Sequence, residues 1–563
     1  MSKTDSVKIA LYCNYASQFL SRSLKTNLKE FRIPFELYQA DYNQADMEFY
    51  DQNSELFTLK PDFIILHETA ENIVDLFYAN SLEERNCFAQ AFIERIGSFL
   101  DVLSASLPSA KLIYPVWESA KDMVYGNYYS KVEHSWDYQQ SKFSWELLQQ
   151  NKERKNLLFI DTNRITADVE DPKNYSLAIS ADLHFSIGFL NKLSNEIAKM
   201  IQGFRGGTKK CIILDLDNTL WGGVIGDDGM ENIEIGELGM GKAFTKFQKW
   251  LKELKNRGII LAICSKNNLP AAQEPFEKHP DMVLRLEDIA VFVANWENKA
   301  DNIRHIQSIL NIGFDSMVFL DDNPAERKIV EDNIPGITVP DLPEDAAYYL
   351  PFLKQLNLFE TTSVSSNDKD RTKQYQEEAK RSTFSRSITN IEQYLQSLEM
   401  VAIVGPFKKD DFSRIAQLTQ RSNQFNLRTI RYTDGDIEKM SHNKEYLTFS
   451  VKLSDRFGDY GLISLVILKI EDNDAFIDTW LMSCRVLKRG VEQMVLNQIV
   501  DQLSKKGIDL LSGEYIPSSK NSMVENHYKN LGFLSNGNLW QLNVREYNQK
   551  KSFINFAQND KRG

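Results

Sequence analysis

Short apolar runs of four to seven residues, each followed by an amphipathic segment, dominate the first part of the chain and restrict what it can become. VKIALY (7–12), DFIIL (62–66), KLIYPVW (111–117) and LLFI (157–160) are too short for buried helices and too uniformly apolar for half-exposed strands, so they read as buried parallel strands. Between them, Leu20, Leu24 and Leu28 line one helical face, and Phe88, Phe92, Ile96 and Leu100 line another. A strand buried on both faces needs helices on both sides, so the pattern predicts a three-layer α/β sandwich. It closes with the helix-like SIGFLNKLSNEIAKMI (186–201) and the Gly- and Lys-rich joint GFRGGTKK, which puts a boundary near Arg205.

The same logic repeats over 206–360. CIIL (211–214), IILAIC (259–264) and MVFL (317–320) are strands, with helical stripes at Phe244, Phe247, Leu251, Leu254 and at Ile303, Ile306, Leu310. The proline-punctuated run 335–353 reads as a last strand leading out of the domain. A third domain, 361–548, opens on a polar stretch (361–383) read first as linker and then as exposed helix. YLTFSVKL (446–453), GLISLVILKI (461–470) and AFIDTWLM (475–482) alternate as antiparallel strands, followed by a helix from about 490 to 505 and a strand at 508–516. Residues 549–563 are expected to be a loosely held tail.

At 563 residues, three or four domains of about 150 are expected. The hydrophobic fraction of 42% and charged fraction of 26% exclude general disorder. With 66 basic and 78 acidic residues the net charge is −12, so no nucleic-acid partner is expected. No apolar run reaches the roughly 18–20 residues that span a bilayer, and no signal-peptide pattern is present, so no membrane partner is expected. Cys13, Cys87, Cys211, Cys264 and Cys484 are scattered and lack CxxC spacing. That argues against disulfides or zinc and for a reducing, cytoplasmic setting.

The sharpest chemical signal is Asp215-Leu216-Asp217-Asn218-Thr219 at the end of a buried strand, where open α/β sheets bind ligands. Two carboxylates two residues apart on an extended chain face the same way. One can attack phosphorus, and the other can protonate the leaving oxygen and then activate water. Ser265 ends the next strand, Lys299 opens a helix, and Asp321-Asp322 end the third strand. A hydroxyl and an ammonium suit a phosphoryl group, and paired carboxylates suit Mg²⁺.

In the order DxDxT, Ser, Lys, DD this set resembles the haloacid dehalogenase (HAD) superfamily over about 206–345. LDLDNTLWGGVIGDDG, LAICSKNN, NWENKADNIRHI, VFLDDNPAER and SNQFNLRTIRY (422–432) resemble its FkbH-like branch. The resemblance implies Asp215 as nucleophile and Asp217 as general acid/base, with Thr219, Ser265 and Lys299 binding phosphoryl. It places Mg²⁺ on Asp215, the carbonyl of Asp217 and the Asp321-Asp322 pair. It implies removal of phosphate from a phosphorylated small-molecule acyl donor. A glyceryl-type unit would then pass through an enzyme thioester to the phosphopantetheine of an acyl carrier protein. The expected architecture is an SGNH-like three-layer sandwich, a HAD-like Rossmannoid core and an α+β GNAT-like C-terminal domain.

MSCRVLKRGVEQMVL (482–496) is similar to the pyrophosphate-binding turn of GNAT acyltransferases, with backbone N–H groups at a helix N-terminus for phosphate. Arg485 and Gly490 match that pattern, while Lys488 stands where a glycine is expected; coenzyme A or the phosphopantetheine of a carrier protein is the implied ligand. Tyr528, in NHYKNLGF, reads either as proton donor to a departing thiolate or as a core tyrosine. Cys484 reads either as the acyl-bearing thiol, its thiolate favoured by Arg485 and the helix N-terminus, or as a small buried strand residue. In the N-terminal region Ser17 is a candidate nucleophile or a helix N-cap. Asp182-Leu183-His184 is one residue short of the SGNH Asp-x-x-His pair, so this domain is expected to act as a docking element. The alternatives to acyl loading are a plain phosphatase of a small phosphometabolite and a non-catalytic biosynthetic scaffold.

Overall fold

The first four apolar runs fold as neighbouring strands of one sheet, together with a strand the sequence did not announce. β1 (Val7–Cys13), β2 (Phe35–Gln39), β3 (Phe63–His67), β4 (Lys111–Val116) and β5 (Leu157–Asp161) lie in the order β2-β1-β3-β4-β5 with every pair parallel. β2, FELYQ, was missed because it is a half-buried edge strand without an apolar run. The helices Gln18–Glu30, Phe88–Ser106 and Ile187–Phe204 cover the sheet, with Leu20, Leu24, Leu28, Ile96 and Leu100 fully enclosed. The structure is a computed structural model. It describes residues 6–362, 371–386, 390–421, 425–471, 473–483, 486–518 and 521–557. The chain divides into two compact units, Met1–Gly203 and Phe204–Gly563.

In the second unit, β6 (Cys211–Leu214), β7 (Ile260–Ser265), β8 (Ile289–Ala294) and β9 (Met317–Leu320) form a parallel sheet in the order β8-β7-β6-β9. β8 was not foreseen. The expected strand within 335–353 shrinks to a bridge between Val318 and Thr338, and the run continues as the helix Tyr349–Leu356.

A second, eight-stranded sheet follows, in the order β15-β16-β14-β13-β12-β11-β10-β17. Its strands are β10 (Val401–Gly405), β11 (Tyr446–Asp455), β12 (Gly458–Glu471), β13 (Asp474–Met482), β14 (Leu510–Glu514), β15 (Leu534–Asn536), β16 (Leu539–Asn543) and β17 (Asn555–Phe556). β13 and β14 are parallel but pair only from Asp474↔Leu510 to Ile477↔Gly513. Beyond that point Phe425–Leu427 lies between them. Leu427 N donates to Trp480 O at 3.3 Å, Met482 N donates to Phe425 O at 3.2 Å, and Ile516 N donates to Leu427 O at 2.9 Å. A parallel pair that diverges leaves backbone groups unpaired, and this segment satisfies them.

The polar helix, Arg371–Arg386, is not an exposed one: Tyr375 and Arg381 are buried, and Gln376 donates to Ile289 O. Arg381 pairs with Asp455 at 2.7 Å with both side chains enclosed, which makes a residue of polar type an interior one. The expected tail also holds structure. β17 pairs with β10, Asn555 N donates to Met400 O, and Ile554 is buried.

Candidate active site

β6 delivers Asp215 at its carboxyl end, tied to β9 by Asp215 N donating to Leu320 O at 2.9 Å. The chain then turns tightly: Thr219 N and Leu220 N both donate to Leu216 O, and Asn218 takes a left-handed φ of 53°, which asparagine tolerates better than most residues. The turn brings Asp217 back beside Trp221. Lys299 is the first residue of the helix Lys299–Leu310, capped by Asn298, whose Oδ1 accepts from Ala300 N at 2.7 Å. Asp321 and Asp322 follow β9. Arg327 holds this turn from behind, donating to both Asp321 O and Asp322 O.

These strand ends converge. Carboxylate oxygens of Asp215, Asp321 and Asp322 lie within 4.8 Å of one another. Lys299 Nζ is 3.0 Å from Asp215 Oδ1 and 2.6 Å from Asp321 Oδ2. Burial pushes the Asp215 carboxyl up to about 6, with Asp321 adding to the rise and Lys299 and Ser265 opposing it. Burial likewise raises Asp321 and Asp322. For Lys299 burial works against the charge, but Asp215 and Asp321 outweigh it and hold the ammonium above its ordinary value.

Asp217 sits at the rim of this cluster, half-buried. Its Oδ1 accepts from Trp221 Nε1 and from Ile225 N, both at 3.0 Å, and its Oδ2 accepts from Asn267 Nδ2 at 2.9 Å. Asn267 also donates to Ser265 Oγ at 3.1 Å. Thr219 is fully enclosed, and its Oγ1 accepts from Asp322 N at 3.1 Å. Its hydroxyl therefore ties two strand-end turns together. Sequence reasoning missed Trp221 and Asn267. The only signal for them was their place in the WGG and SKNN stretches flanking the motif residues.

The cluster fits Mg²⁺: three hard carboxylate donors converge at the strand ends, and the buried pair Asp215 and Asp321 share one ammonium for two negative charges. Burial pushes the Cys264 thiol up to about 12 and raises that of Cys211 as well.

In the eight-stranded sheet region, Cys484 and Arg485 lie outside the described residues. Gly490 takes φ 80° at the start of the helix Val491–Lys505, and Lys488 takes φ 61°, the left-handed backbone that a glycine would supply. Tyr528 is fully enclosed, and its OH has no hydrogen-bond partner. A Cβ on Gly513 would stand 2.4 Å from that OH, so the ring fits only against glycine. In the N-terminal unit the Asp182–His184 pair does form, with His184 Nε2 2.8 Å from Asp182 Oδ1. Ser17 Oγ instead accepts from Gln39 Nε2 at 2.8 Å, and it makes no side-chain cap bond.

Residues 8–202 match the family model described as FkbH, N-terminal domain. The crystal structure of the N-terminal part of protein BF1531 from Bacteroides fragilis, which contains a phosphatase domain and was solved with Mg, is 43% identical. The match covers 64% of this chain and 95% of that one, with a TM-score of 0.61. The class is thus one that joins an FkbH-type N-terminal domain to a phosphatase domain. The chain belongs to the family of the Bacteroides protein.

The ribosomal-protein-S18-alanine N-acetyltransferase of Escherichia coli is 14% identical over 28% of this chain and 98% of its own, with a TM-score of 0.21. The PaiA N-acetyltransferase of Thermoplasma acidophilum, in complex with coenzyme A, is 16% identical over 25% of this chain and 98% of its own, with a TM-score of 0.18. Likeness at that level carries no argument. No curated protein matches the sequence. Among the described residues, no helix is long and apolar enough to cross a membrane.

Proposed function

We propose that this chain is a Mg²⁺-dependent phosphatase or phosphotransferase acting through an aspartyl-phosphate at Asp215. The observation that carries the reading is the meeting of the Asp215, Asp321 and Asp322 carboxylates, the first two of them paired with the Lys299 ammonium. Asp215, Asp321, Asp322 and the carbonyl of Asp217 would hold Mg²⁺, which when bound supplies positive charge for the phosphoryl oxygens. The Asp215 carboxylate attacks phosphorus while Lys299 and Ser265 hold the phosphoryl oxygens. The departing oxygen takes a proton from Asp217, which then removes one from the water that hydrolyses the aspartyl-phosphate.

Asp215→Asn keeps the shape and removes the nucleophile. Phosphate release should fall by orders of magnitude while the thermal melt survives; near wild-type turnover would refute the aspartyl-phosphate. Replacing Asp321 and Asp322 together by Asn should abolish turnover by weakening Mg²⁺ binding, read directly by calorimetric titration.

The wider reading is FkbH-like. The substrate is a phosphorylated acyl donor of glyceryl type, and an acyl carrier protein receives the acyl group on its phosphopantetheine by way of Cys484. Arg485 and Gly490, or coenzyme A bound at them, would serve the thiol end, and Tyr528 would be the proton donor. It is supported by the match of residues 8–202 and by the left-handed turn at Lys488 and Gly490. On this reading the N-terminal unit is an SGNH-like docking element. Intact-protein mass after incubation with an acyl phosphate, with and without carrier protein, tests it. Cys484→Ala should lose the acyl adduct and carrier loading but keep phosphate release from a simple monoester. Undiminished loading by that variant removes Cys484 from the mechanism.

A further inference from the structure

Asp217 is surrounded by donors in a way that the proposed reaction alone does not require. An ionised carboxylate offers about four lone-pair positions. Both positions on Oδ1 are taken, by the Trp221 indole N–H and the Ile225 backbone N–H, and one on Oδ2 is taken by Asn267 Nδ2. The indole and backbone groups are donors only and cannot turn to accept a proton. Trp221 is fully enclosed and Asn267 nearly so, which fixes them. The turn itself is pinned, with Gly223 N donating to Asn218 Oδ1 at 2.9 Å.

We propose that Trp221 and Asn267 are positioning residues that leave Asp217 a single place, the free lone pair of Oδ2, to carry the proton it delivers. This rests on the phosphatase reading for its chemical use. In the first step the Oδ2–H bond breaks as hydrogen bonds to the leaving oxygen, which keeps the electron pair of its broken bond to phosphorus. Asp217 returns to a carboxylate whose charge the three donors receive. In the second step the water oxygen bonds to phosphorus, the bond from phosphorus to Asp215 breaks and leaves its electron pair on that carboxylate, and the water's proton passes to the same Asp217 Oδ2. Asn267 has a second part, since its other contact, Ser265 Oγ, belongs to the group expected to hold the phosphoryl oxygens.

The test uses leaving groups that differ in their need for a proton. Trp221→Phe keeps the ring and deletes the N–H. Because general acid catalysis contributes about 10²–10⁴-fold, kcat on a simple alkyl phosphate should fall by about 10²-fold. On p-nitrophenyl phosphate, whose leaving group needs little protonation, it should fall by less than about tenfold. Asn267→Leu should show the same imbalance with a raised KM as well, because Ser265 loses a partner. Equal losses on both esters would mean a merely structural role and overturn the proposal.

A measurement without turnover stands beside it. The indole N–H resonance of Trp221, assigned among eight tryptophans by its loss in Trp221→Phe, should move upfield and exchange faster with solvent in Asp217→Ala. An unmoved resonance overturns the positioning claim. A wild-type protein that hydrolyses neither ester, yet whose resonance moves, upholds the positioning and refutes the phosphatase reading instead.

Discussion

Lys299 Nζ lies 2.6 Å from Asp321 Oδ2, with both side chains closed to solvent. The same ammonium serves Asp215 at 3.0 Å, so one cation compensates two buried acids. Breaking such a pair leaves charge buried without a partner, which costs about 3–5 kcal/mol where it has been measured.

The first prediction follows from that pair. Lys299→Met in metal-free protein should lower the unfolding free energy by about 3 kcal/mol, read by chemical denaturation. Mg²⁺ should then raise Tm more in the variant than in the wild type, because it replaces the missing charge. Equal Mg²⁺ shifts would separate the lysine from the carboxylate cluster.

A second prediction concerns pH. Burial raises the Asp215 carboxyl from its ordinary 3.8 to about 6 in the folded protein. The fold thus favours its neutral form, and the stabilisation is complete below about pH 4 and lost as pH rises through about 6. Metal-free stability should carry this downward slope between about pH 4 and 6; Asp321 and Asp322, also raised by burial, add to it, so Asp215→Asn should make it shallower. Phosphate release, measured with Mg²⁺ bound, should rise with pH over a lower range, because the cation favours the ionised carboxylate. Denaturation at several pH values in chelator, beside a pH–rate profile, checks both signs.

In the N-terminal unit, Ser17 Oγ is engaged by Gln39 rather than by His184. Ser17→Ala should leave any hydrolysis of simple esters unchanged, and an esterase activity that disappears in this variant would make the unit a serine hydrolase.

Arg381 and Asp455 form the most enclosed ion pair away from the active site that is described here. Arg381→Met alone should cost about 1–3 kcal/mol, because Asp455 keeps Arg489 at 3.8 Å and the donors Phe457 N, Gly458 N and Tyr460 OH. Replacing both, Arg381→Met with Asp455→Leu, should cost more, because those donors and Arg489 lose their acceptor. A double variant no worse than the single one in chemical denaturation would show that Asp455 does not hold this network together.

What the sequence made legible was whatever is written locally. A uniformly apolar run ending in a carboxylate states both a buried strand and the place where it opens, so Asp215, Ser265, Lys299, Asp321 and Asp322 could be gathered before any coordinates. β2 was hidden because its side chains are only partly enclosed and it has no apolar run, whereas β8, IAVFVA, carries the same kind of uniformly apolar run as its neighbours and was overlooked despite it. The helix Arg371–Arg386 misled for a different reason. Arg381 is polar in the sequence, and the partner that allows its burial lies 74 residues away in β11. Asn267 is likewise 50 residues from the carboxylate it holds. The roles of such residues belong to pairs, and one member read alone does not show them.

The segment Phe425–Leu427, lodged between β13 and β14, has a consequence for affinity. It is joined to both sides by backbone hydrogen bonds, and Asn521 Nδ2 adds another at Asn426 O. A chain-like molecule entering between those strands meets a resident competitor. Its measured dissociation constant is the intrinsic one divided by the fraction of molecules in which the segment has left. Weak binding to the intact protein would therefore report mostly on how seldom that segment departs, and loosening it would tighten the ligand without adding a single contact.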